Sequence, residues 1–180
     1  MDPSSLKQLF APFEETRIAI TVSDCGAKDR PLLYVNRGFE NVTGYQSQDV
    51  VGRNCRFLQG PSSNPETVAA MREAIGGGKG INVCLANYRA DGSLFHNLLL
   101  LSPITAGDGA NLYLGCQYDI TERVQFAKIG DHIAQLNGLV DRLRAQPKTT
   151  WQVNMDTSHL IANITKDQAE QYLRSVNAHP

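Results

Sequence analysis

The spacing of apolar residues changes along the chain, and each spacing predicts a different element. Over residues 4–13 the apolar side chains follow helical spacing, which predicts a short amphipathic helix. Residues 16–22 and 32–35 are β-branched and apolar, which predicts two strands joined by a loop that holds Gly, Asp and Pro. Between residues 36 and 58, glycines separate short apolar clusters, so several brief helices are expected.

A longer helix and three strands are predicted in the middle of the chain. Asn64 and Pro65 suit the cap and the first position of a helix that runs to about residue 75, where the glycines at 76–78 end it. Strands are expected over residues 81–89, about 95–101 and 112–119. Asp91-Gly92 predicts a hairpin turn between the first two of these strands.

Alternation along these three strands places one carboxamide on the same face of each, at Asn87, Asn97 and Gln117. Taken singly, such amides most often cap strand ends or bond to the backbone. Three amides that converge among apolar neighbours predict instead a polar ligand edge inside an apolar pocket.

The remaining third of the chain has a helical pattern. Apolar residues over 121–145 recur at alternating three- and four-residue steps, which predicts a helix with a coiled-coil-like seam that Pro147 ends. The seam is short for an independent coiled coil and could equally pack on the protein's own sheet. We therefore expect an N-terminal helical cap (1–15), a core (16–120), an amphipathic helix (121–146) and a C-terminal helical extension (147–180).

Composition limits the classes of partner. The chain has 180 residues, of which 42% are hydrophobic, and a net charge of −1, so it offers no basic field for nucleic acid. No apolar run is long enough to cross a bilayer and the N-terminus lacks a signal-peptide layout, so we expect a cytoplasmic protein with no membrane partner. The cysteines and histidines fit no metal spacing, and no metal site is predicted.

Residues 52–60 read GRNCRFLQG and surround Cys55 with two guanidinium groups and two carboxamides. A lone cysteine in a soluble chain is usually a small buried hydrophobe. A thiol beside this many hydrogen-bond donors suits a site that binds an electrophilic, anionic ligand. The order of the residues closely resembles the signature of light-oxygen-voltage (LOV) domains, the blue-light-sensing branch of the PAS superfamily.

The resemblance covers about residues 16–120 and implies an α+β fold of the PAS/LOV type. This fold has a five-stranded antiparallel sheet with short helices on one face, here with N-terminal and C-terminal helical extensions. LOV domains bind flavin mononucleotide (FMN), and blue light drives a thioether bond from the cysteine sulfur to flavin carbon 4a. The resemblance thus implies that Cys55 is the photoactive thiol and that Gln117 is the hydrogen-bond switch at flavin N5. The other implied flavin contacts are Thr21, Asn54, Arg56, Gln59, Arg72, Asn87, Asn97 and Leu99.

Residue chemistry agrees with these implied roles. The pyrimidine edge of a flavin presents an acceptor, a donor and an acceptor, and the amides of Asn87 and Asn97 match both functions without a charge. Arg56 and Arg72, which the resemblance assigns to the phosphate, carry guanidinium forks that suit that group. FMN is therefore expected to bind more tightly than riboflavin.

Some positions depart from the family pattern. His96 stands where many members carry an aromatic residue, and Leu99 where many carry Phe. Both changes are expected to alter packing around the chromophore and the lifetime of the adduct. Cys84 and Cys116 alternate away from the pocket face and are expected to be core residues.

These observations predict a photoreceptor that is not an enzyme, since nothing after residue 120 resembles a catalytic domain. Its signal would be changed helix packing, oligomerisation or partner binding. We expect a light-dependent homodimer through the N- and C-terminal helices, and an unidentified signalling protein as a further partner. The alternative is a non-photochemical PAS module that serves as a redox or ligand sensor or as a dimerisation module.

Overall fold

The computed structural model describes residues 8, 10–16, 18–106, 111–121, 151–152 and 174. The helical elements are a 3-10 helix at Ala11–Phe13, α1 (Arg37–Thr43), α2 (Ser47–Val50), a second 3-10 helix at Cys55–Leu58, and α3 (Pro65–Gly76). The strands are β1 (Ala19–Asp24), β2 (Leu32–Val35), β3 (Ile81–Tyr88), β4 (Leu94–Ala106), β5 (Asn111–Asp119) and β6 (Trp151–Gln152).

Five of these strands form an antiparallel sheet in the order β2-β1-β5-β4-β3, which confirms the predicted fold class. The two-residue strand β6 pairs with the end of β4 and was not predicted, since the sequence favoured only helices beyond residue 121. Its pairing has a simple cause. β3 begins at Ile81 opposite Leu101, so the last residues of β4 have backbone groups on that side for β6 to bond.

The first strand begins at Ala19, three residues later than the sequence predicts. The Thr16 hydroxyl donates to the Phe13 carbonyl at 3.0 Å, and the Thr16 amide does so at 3.2 Å. Thr16 therefore closes the turn after the N-terminal 3-10 helix and does not pair within the sheet.

Asn36 fastens this N-terminal segment to the core. Its Oδ1 caps α1 by accepting from the Phe39 amide at 3.0 Å and also accepts from the Ile20 amide at 2.8 Å. Its Nδ2 donates to the carbonyl oxygens of Phe13 and Ile18 at 2.8 and 2.9 Å. One buried amide thus joins the N-terminal segment, β1 and α1, and satisfies backbone groups that would otherwise be buried without partners.

The predicted ends of α3 and the predicted hairpin are confirmed. The Asn64 side chain accepts from the amides of Glu66 and Thr67, Pro65 is the first helical residue, and the helix ends at Gly76. Between β3 and β4, Gly92 has a φ of 83°, a left-handed conformation that glycine adopts without strain.

Both faces of the sheet are buried. One face packs on α1, α2 and the second 3-10 helix through a cluster of apolar side chains that includes Ala19, Phe39, Val50 and Leu58. On the opposite face, Phe10 and Phe13 of the predicted N-terminal cap are buried, and Phe10 stacks on Tyr34 of β2 with ring centroids 5.4 Å apart. The predicted helix at 121–146, after its first residue, and most of the predicted extension at 147–180 lie outside the described residues.

Candidate ligand pocket

A cavity of about 380 Å³ lies between the sheet, α3 and the second 3-10 helix, within the size range of small-molecule sites. Its lining includes every site residue that the sequence singled out. These residues are Thr21, Asn54, Cys55, Arg56, Gln59, Arg72, Asn87, Asn97, Leu99 and Gln117. Their roles toward a flavin stay predictions, but their positions allow one ligand to contact all of them.

The three predicted amides form one hydrogen-bonded cluster. Asn97 Nδ2 donates to Asn87 Oδ1 at 2.8 Å and to Gln117 Oε1 at 3.1 Å, and all three residues are buried. Register explains the contacts, because Asn97 of β4 lies opposite Leu85 of β3 and Asp119 of β5. Asn87 and Gln117 are then its diagonal neighbours on the same face, within reach of long side chains.

The acceptor of Asn97 gives a direct test of fit to a flavin. Asn97 Oδ1 is buried and has no hydrogen-bond partner among the described residues. A buried acceptor left in this state costs about 1–3 kcal/mol. A flavin's pyrimidine edge carries one N–H donor between two acceptors. Asn97 Oδ1 can accept from that donor, and the Asn87 amide, which also bonds to the Ala86 carbonyl, has a second hydrogen for a neighbouring acceptor.

Cys55 is the first residue of the second 3-10 helix, and Asn54 holds it in place. Asn54 Oδ1 accepts from the Arg56 amide at 2.9 Å, while Asn54 Nδ2 donates to the Asp29 carbonyl at 2.5 Å. The cap therefore ties the cysteine-bearing helix to the loop between β1 and β2. Asn54 therefore both lines the cavity and stabilises the local fold.

The Cys55 thiol is neutral at physiological pH. Burial raises its pKa to about 12. The two flanking guanidinium groups have other contacts: Arg56 pairs with Asp29, and Arg53 lies over the Phe57 ring, 4.8 Å from its centroid. The site thus holds a thiol, with its proton, against the ligand cavity.

The sequence missed much of the apolar wall. Helix α3 contributes Val68, Met71 and Ile75 beside the predicted Arg72, and these positions share one helical face. The three- and four-residue spacing of these positions could have predicted the cavity-facing side of α3 from the sequence. Tyr113 of β5 also lines the cavity, and its hydroxyl donates to the carbonyls of Ile75 and Lys79 at 3.4 and 3.2 Å. These bonds fix the end of α3 against the sheet.

Gly115 keeps the β5 side of the cavity open. A Cβ at this position would lie 2.5 Å from Thr21 Oγ1 and 3.4 Å from Leu101 Cδ2, and both of those residues line the cavity. A side chain here would therefore displace the cavity wall or enter the cavity itself.

The two departures from the family pattern lie on opposite faces of β4. Leu99 lines the cavity, whereas the half-buried His96 lies on the other face, where desolvation lowers its pKa against the opposing effect of Asp119. Cys84 and Cys116, on the strands beside β4, do not line the cavity, as the alternation predicts, and Cys116 is buried.

Several hydrogen bonds and one ion pair lie at the end of β5. Asp119 accepts from Arg89 Nη2 at 2.5 Å and from the Thr121 amide at 2.9 Å. The Arg89 guanidinium also donates to the carbonyl of Val42, the penultimate residue of α1. The His96 amide donates to Thr121 Oγ1 at 2.9 Å. The end of β5 is therefore bonded both to Arg89, which follows β3, and to His96 of β4.

Two kinds of feature are absent from the described part of the chain. No helix there has the length and apolar character needed to cross a membrane. No group of three or more His, Cys, Asp or Glu side chains there could hold a metal ion.

Known proteins resemble this chain over the same region. A family model described as a PAS domain matches residues 18–122. A blue-light photoreceptor of Listeria monocytogenes is 41% identical over 163 residues, which are 90% of this chain and 62% of that protein. A blue-light-activated histidine kinase of Rhizobium johnstonii is 43% identical over 123 residues, 67% of this chain and 36% of the kinase. The chain thus spans less than two thirds of the length of each relative.

Solved structures agree with this similarity. The LOV protein of Rhodobacter sphaeroides superimposes with a TM-score of 0.70 at 30% identity, covering 83% of this chain and 86% of that chain. The LOV domain of a blue-light activated histidine kinase from Erythrobacter litoralis gives 0.57 at 40% identity, covering 60% of this chain and 100% of that domain. With the family match over residues 18–122, these similarities show that the chain belongs to the LOV branch of the PAS superfamily.

Proposed function

We propose that this protein is a blue-light receptor that binds FMN and forms a reversible bond between Cys55 and the flavin. The observation that carries the proposal is the shared cavity. It is lined by the Cys55 thiol and by an amide cluster whose Asn97 acceptor needs a donor. Bound FMN would supply a ring that absorbs blue light, with a carbon 4a that accepts the sulfur and an N5 that accepts the thiol proton.

The protein's own part in the reaction is to supply a thiol that keeps its proton until light arrives. Cys55 would supply both the sulfur that bonds to the flavin and, from its S–H bond, the proton. The raised pKa of Cys55 supports this role, because a thiolate would bring no proton to N5.

Gln117 supports a route for the signal. Its Oε1 accepts from Asn97, so its amide nitrogen is the atom that can donate to an acceptor on the ligand. Gln117 would have to rotate its amide to offer an acceptor at the same place if N5 held a proton. Rotation would set its nitrogen against the Asn97 donor, so the two amides must rearrange together.

The rearrangement can reach the surface because Gln117 lies two residues before Asp119, at the end of β5. We infer that the output is a light-dependent change in a homodimer built from the N- and C-terminal helices. An unidentified signalling protein is proposed as a further partner. Phe10 and Phe13 are buried against this chain's own sheet, so the dimer contacts must come from other residues of those segments. No catalytic output is proposed.

We also propose a cytoplasmic location for the receptor. All four cysteines are free thiols, which suits a reducing compartment. The purified protein should then be stable without oxidising conditions.

A visible spectrum tests the proposed function. The purified full chain should be yellow, should bleach under blue light and should recover in the dark. A colourless protein, or a yellow one that does not bleach, would favour the alternative of a non-photochemical ligand-sensing module.

Changing Gln117 to leucine is expected to preserve bleaching and weaken the change in self-association. Leucine can neither donate nor accept a hydrogen bond, so β5 would no longer respond to a change in the protonation of N5. An allosteric coupling of about 1–3 kcal/mol shifts an equilibrium about 5- to 150-fold, which is measurable at micromolar protein by size-exclusion chromatography with light scattering in dark and light. Asn111→Leu, which removes an exposed amide of the same strand outside the cavity lining, is the control that should keep the response. Equal dark-to-light mass changes in the Gln117→Leu variant and the unmodified protein would refute this route.

The yield of the bleached state is expected to stay constant between about pH 6 and pH 9. A thiol whose pKa is raised keeps its proton to higher pH, so Cys55 changes charge only as the pH nears its value of about 12. Absorbance after a saturating blue flash, measured across this range, checks the expectation. A yield that rises or falls with a midpoint near the ordinary thiol pKa of about 8.5 would contradict it.

A further inference from the structure

The cavity lining holds four charged side chains, of which the sequence identified two. They are Asp29 and Arg30 of the loop between β1 and β2, Arg56 of the second 3-10 helix, and Arg72 of α3. Three guanidinium groups and one carboxylate give a formal charge of +2 at this site. A phosphate monoester carries about −1.5 to −2 at neutral pH, which the four groups together would balance.

Arg56 is not fully available to such an anion. Its Nη1 lies 2.5 Å from Asp29 Oδ1, and the two side chains are 57% and 59% exposed. An exposed pair of this kind contributes little to stability. It does cancel the charge of Arg56 locally and places a carboxylate where the phosphate would approach.

Arg30 is the cation of this loop that lines the cavity, and it has no such partner in the described part of the chain. The ion pairs found among the described residues are Arg56 with Asp29 and Arg89 with Asp119, so no described carboxylate lies within ion-pair distance of Arg30. Its side chain lines the same cavity.

The backbone of this loop is held in an unfavourable conformation. Asp29 and Arg30 have φ values of 67° and 51°, in the left-handed region that non-glycine residues seldom occupy. Asn54 Nδ2 bonds to the carbonyls of both residues, at 2.5 and 3.4 Å, and so fixes the loop to the segment that carries Cys55. Strain maintained in this way at a cavity is typical of a binding site.

We propose that Arg30 is a third phosphate-binding residue that sets the preference for FMN over riboflavin, and that Asp29 limits the contribution of Arg56. The inference rests on the proposed function, because it concerns the phosphate of the same flavin. It adds to the expected roles of Arg56 and Arg72 a specificity-determining residue on the loop between β1 and β2, next to the Asp29 that pairs with Arg56.

Competition between two flavins tests the proposal. The full chain is incubated with equimolar FMN and riboflavin, and the ratio bound is read by chromatography of the released flavin. Arg30→Gln is expected to lower the FMN-to-riboflavin ratio at least tenfold, since a charge-assisted hydrogen bond is lost. Asp29→Asn is expected to raise the ratio, and asparagine tolerates the left-handed backbone of that position. Arg37→Gln, an exposed arginine of α1 outside the cavity lining, is the charge-matched control and should leave the ratio unchanged.

The outcomes distinguish a failure of the proposed receptor function from a failure of the proposed role of Arg30. If the unmodified chain binds neither flavin, the proposed function fails. If it binds flavin and Arg30→Gln leaves the ratio unchanged, or lowers the binding of both flavins equally, the role of Arg30 is refuted while the receptor function stands. Unfolding midpoints of the variants, measured without flavin, show whether a change in ratio accompanies an intact fold.

Discussion

Exchanging Cys55 for serine or alanine is expected to leave a yellow flavoprotein that no longer bleaches under blue light. The thiol lines the cavity at the position implied by the LOV motif, and neither replacement can supply the sulfur of the proposed adduct. Flavin content should persist, because the amide cluster, the apolar wall and the arginines are unchanged. Absorbance spectra before and after blue illumination measure both quantities.

The chain offers a matched control for this experiment. Cys25 also lines the cavity, and burial raises its pKa to about 11. Cys25 lies in the loop between β1 and β2, outside the motif that surrounds Cys55, so Cys25→Ser should bleach and recover as the unmodified protein does. Reversible bleaching that survives in Cys55→Ala, or that disappears in Cys25→Ser, would show that the reactive thiol has been assigned wrongly.

Exchanging Asn97 for aspartate is expected to remove flavin binding near neutral pH. The buried Asn97 amide donates to Asn87 Oδ1 and Gln117 Oε1 at 2.8 and 3.1 Å. A carboxylate in its place would face two acceptors, and an unpaired buried charge costs several kcal/mol. Bound flavin per chain, measured by absorbance after gel filtration, gives the result.

The pH dependence of this variant has a definite sign. Burial favours the neutral form of the new carboxyl group and raises its pKa, so binding should return in part as the pH falls and be lost as it rises. Asn111→Asp makes the same charge change at an exposed position of β5 and should bind flavin at every pH tested. Full flavin content of Asn97→Asp at about pH 8 would mean that the amide cluster does not receive the flavin.

The parts of the site that could be predicted from sequence are those that periodicity controls. Asn87, Asn97 and Gln117 share a face because side chains alternate along a strand, so their convergence follows once three adjacent strands are recognised. The motif around Cys55 is local in the chain, and its residues stay together in the fold. The helix that carries Arg72 was marked at both ends by its cap residues.

The missed parts depend on backbone conformation and long-range contact. Nothing in the residue types of Asp29 and Arg30 predicts a left-handed backbone, which Asn54 holds from 25 residues away. Tyr113 lies on the same face of β5 as Gln117, but its bonds to the carbonyls of Ile75 and Lys79 depend on tertiary packing. Strand β6 exists because β4 is longer than its neighbour β3, a length difference that alternation alone does not reveal.

The raised pKa values of the cysteines also affect how readily oxidants can modify this protein. Burial raises the pKa of Cys25 and Cys84 to about 11 and that of Cys55 and Cys116 to about 12. Peroxides and other oxidants attack thiolates, so a neutral thiol is a slow target for them. Oxidative stress would therefore convert little of the Cys55 thiol to oxidised forms, and the thiol that the proposed photoreaction needs would stay available.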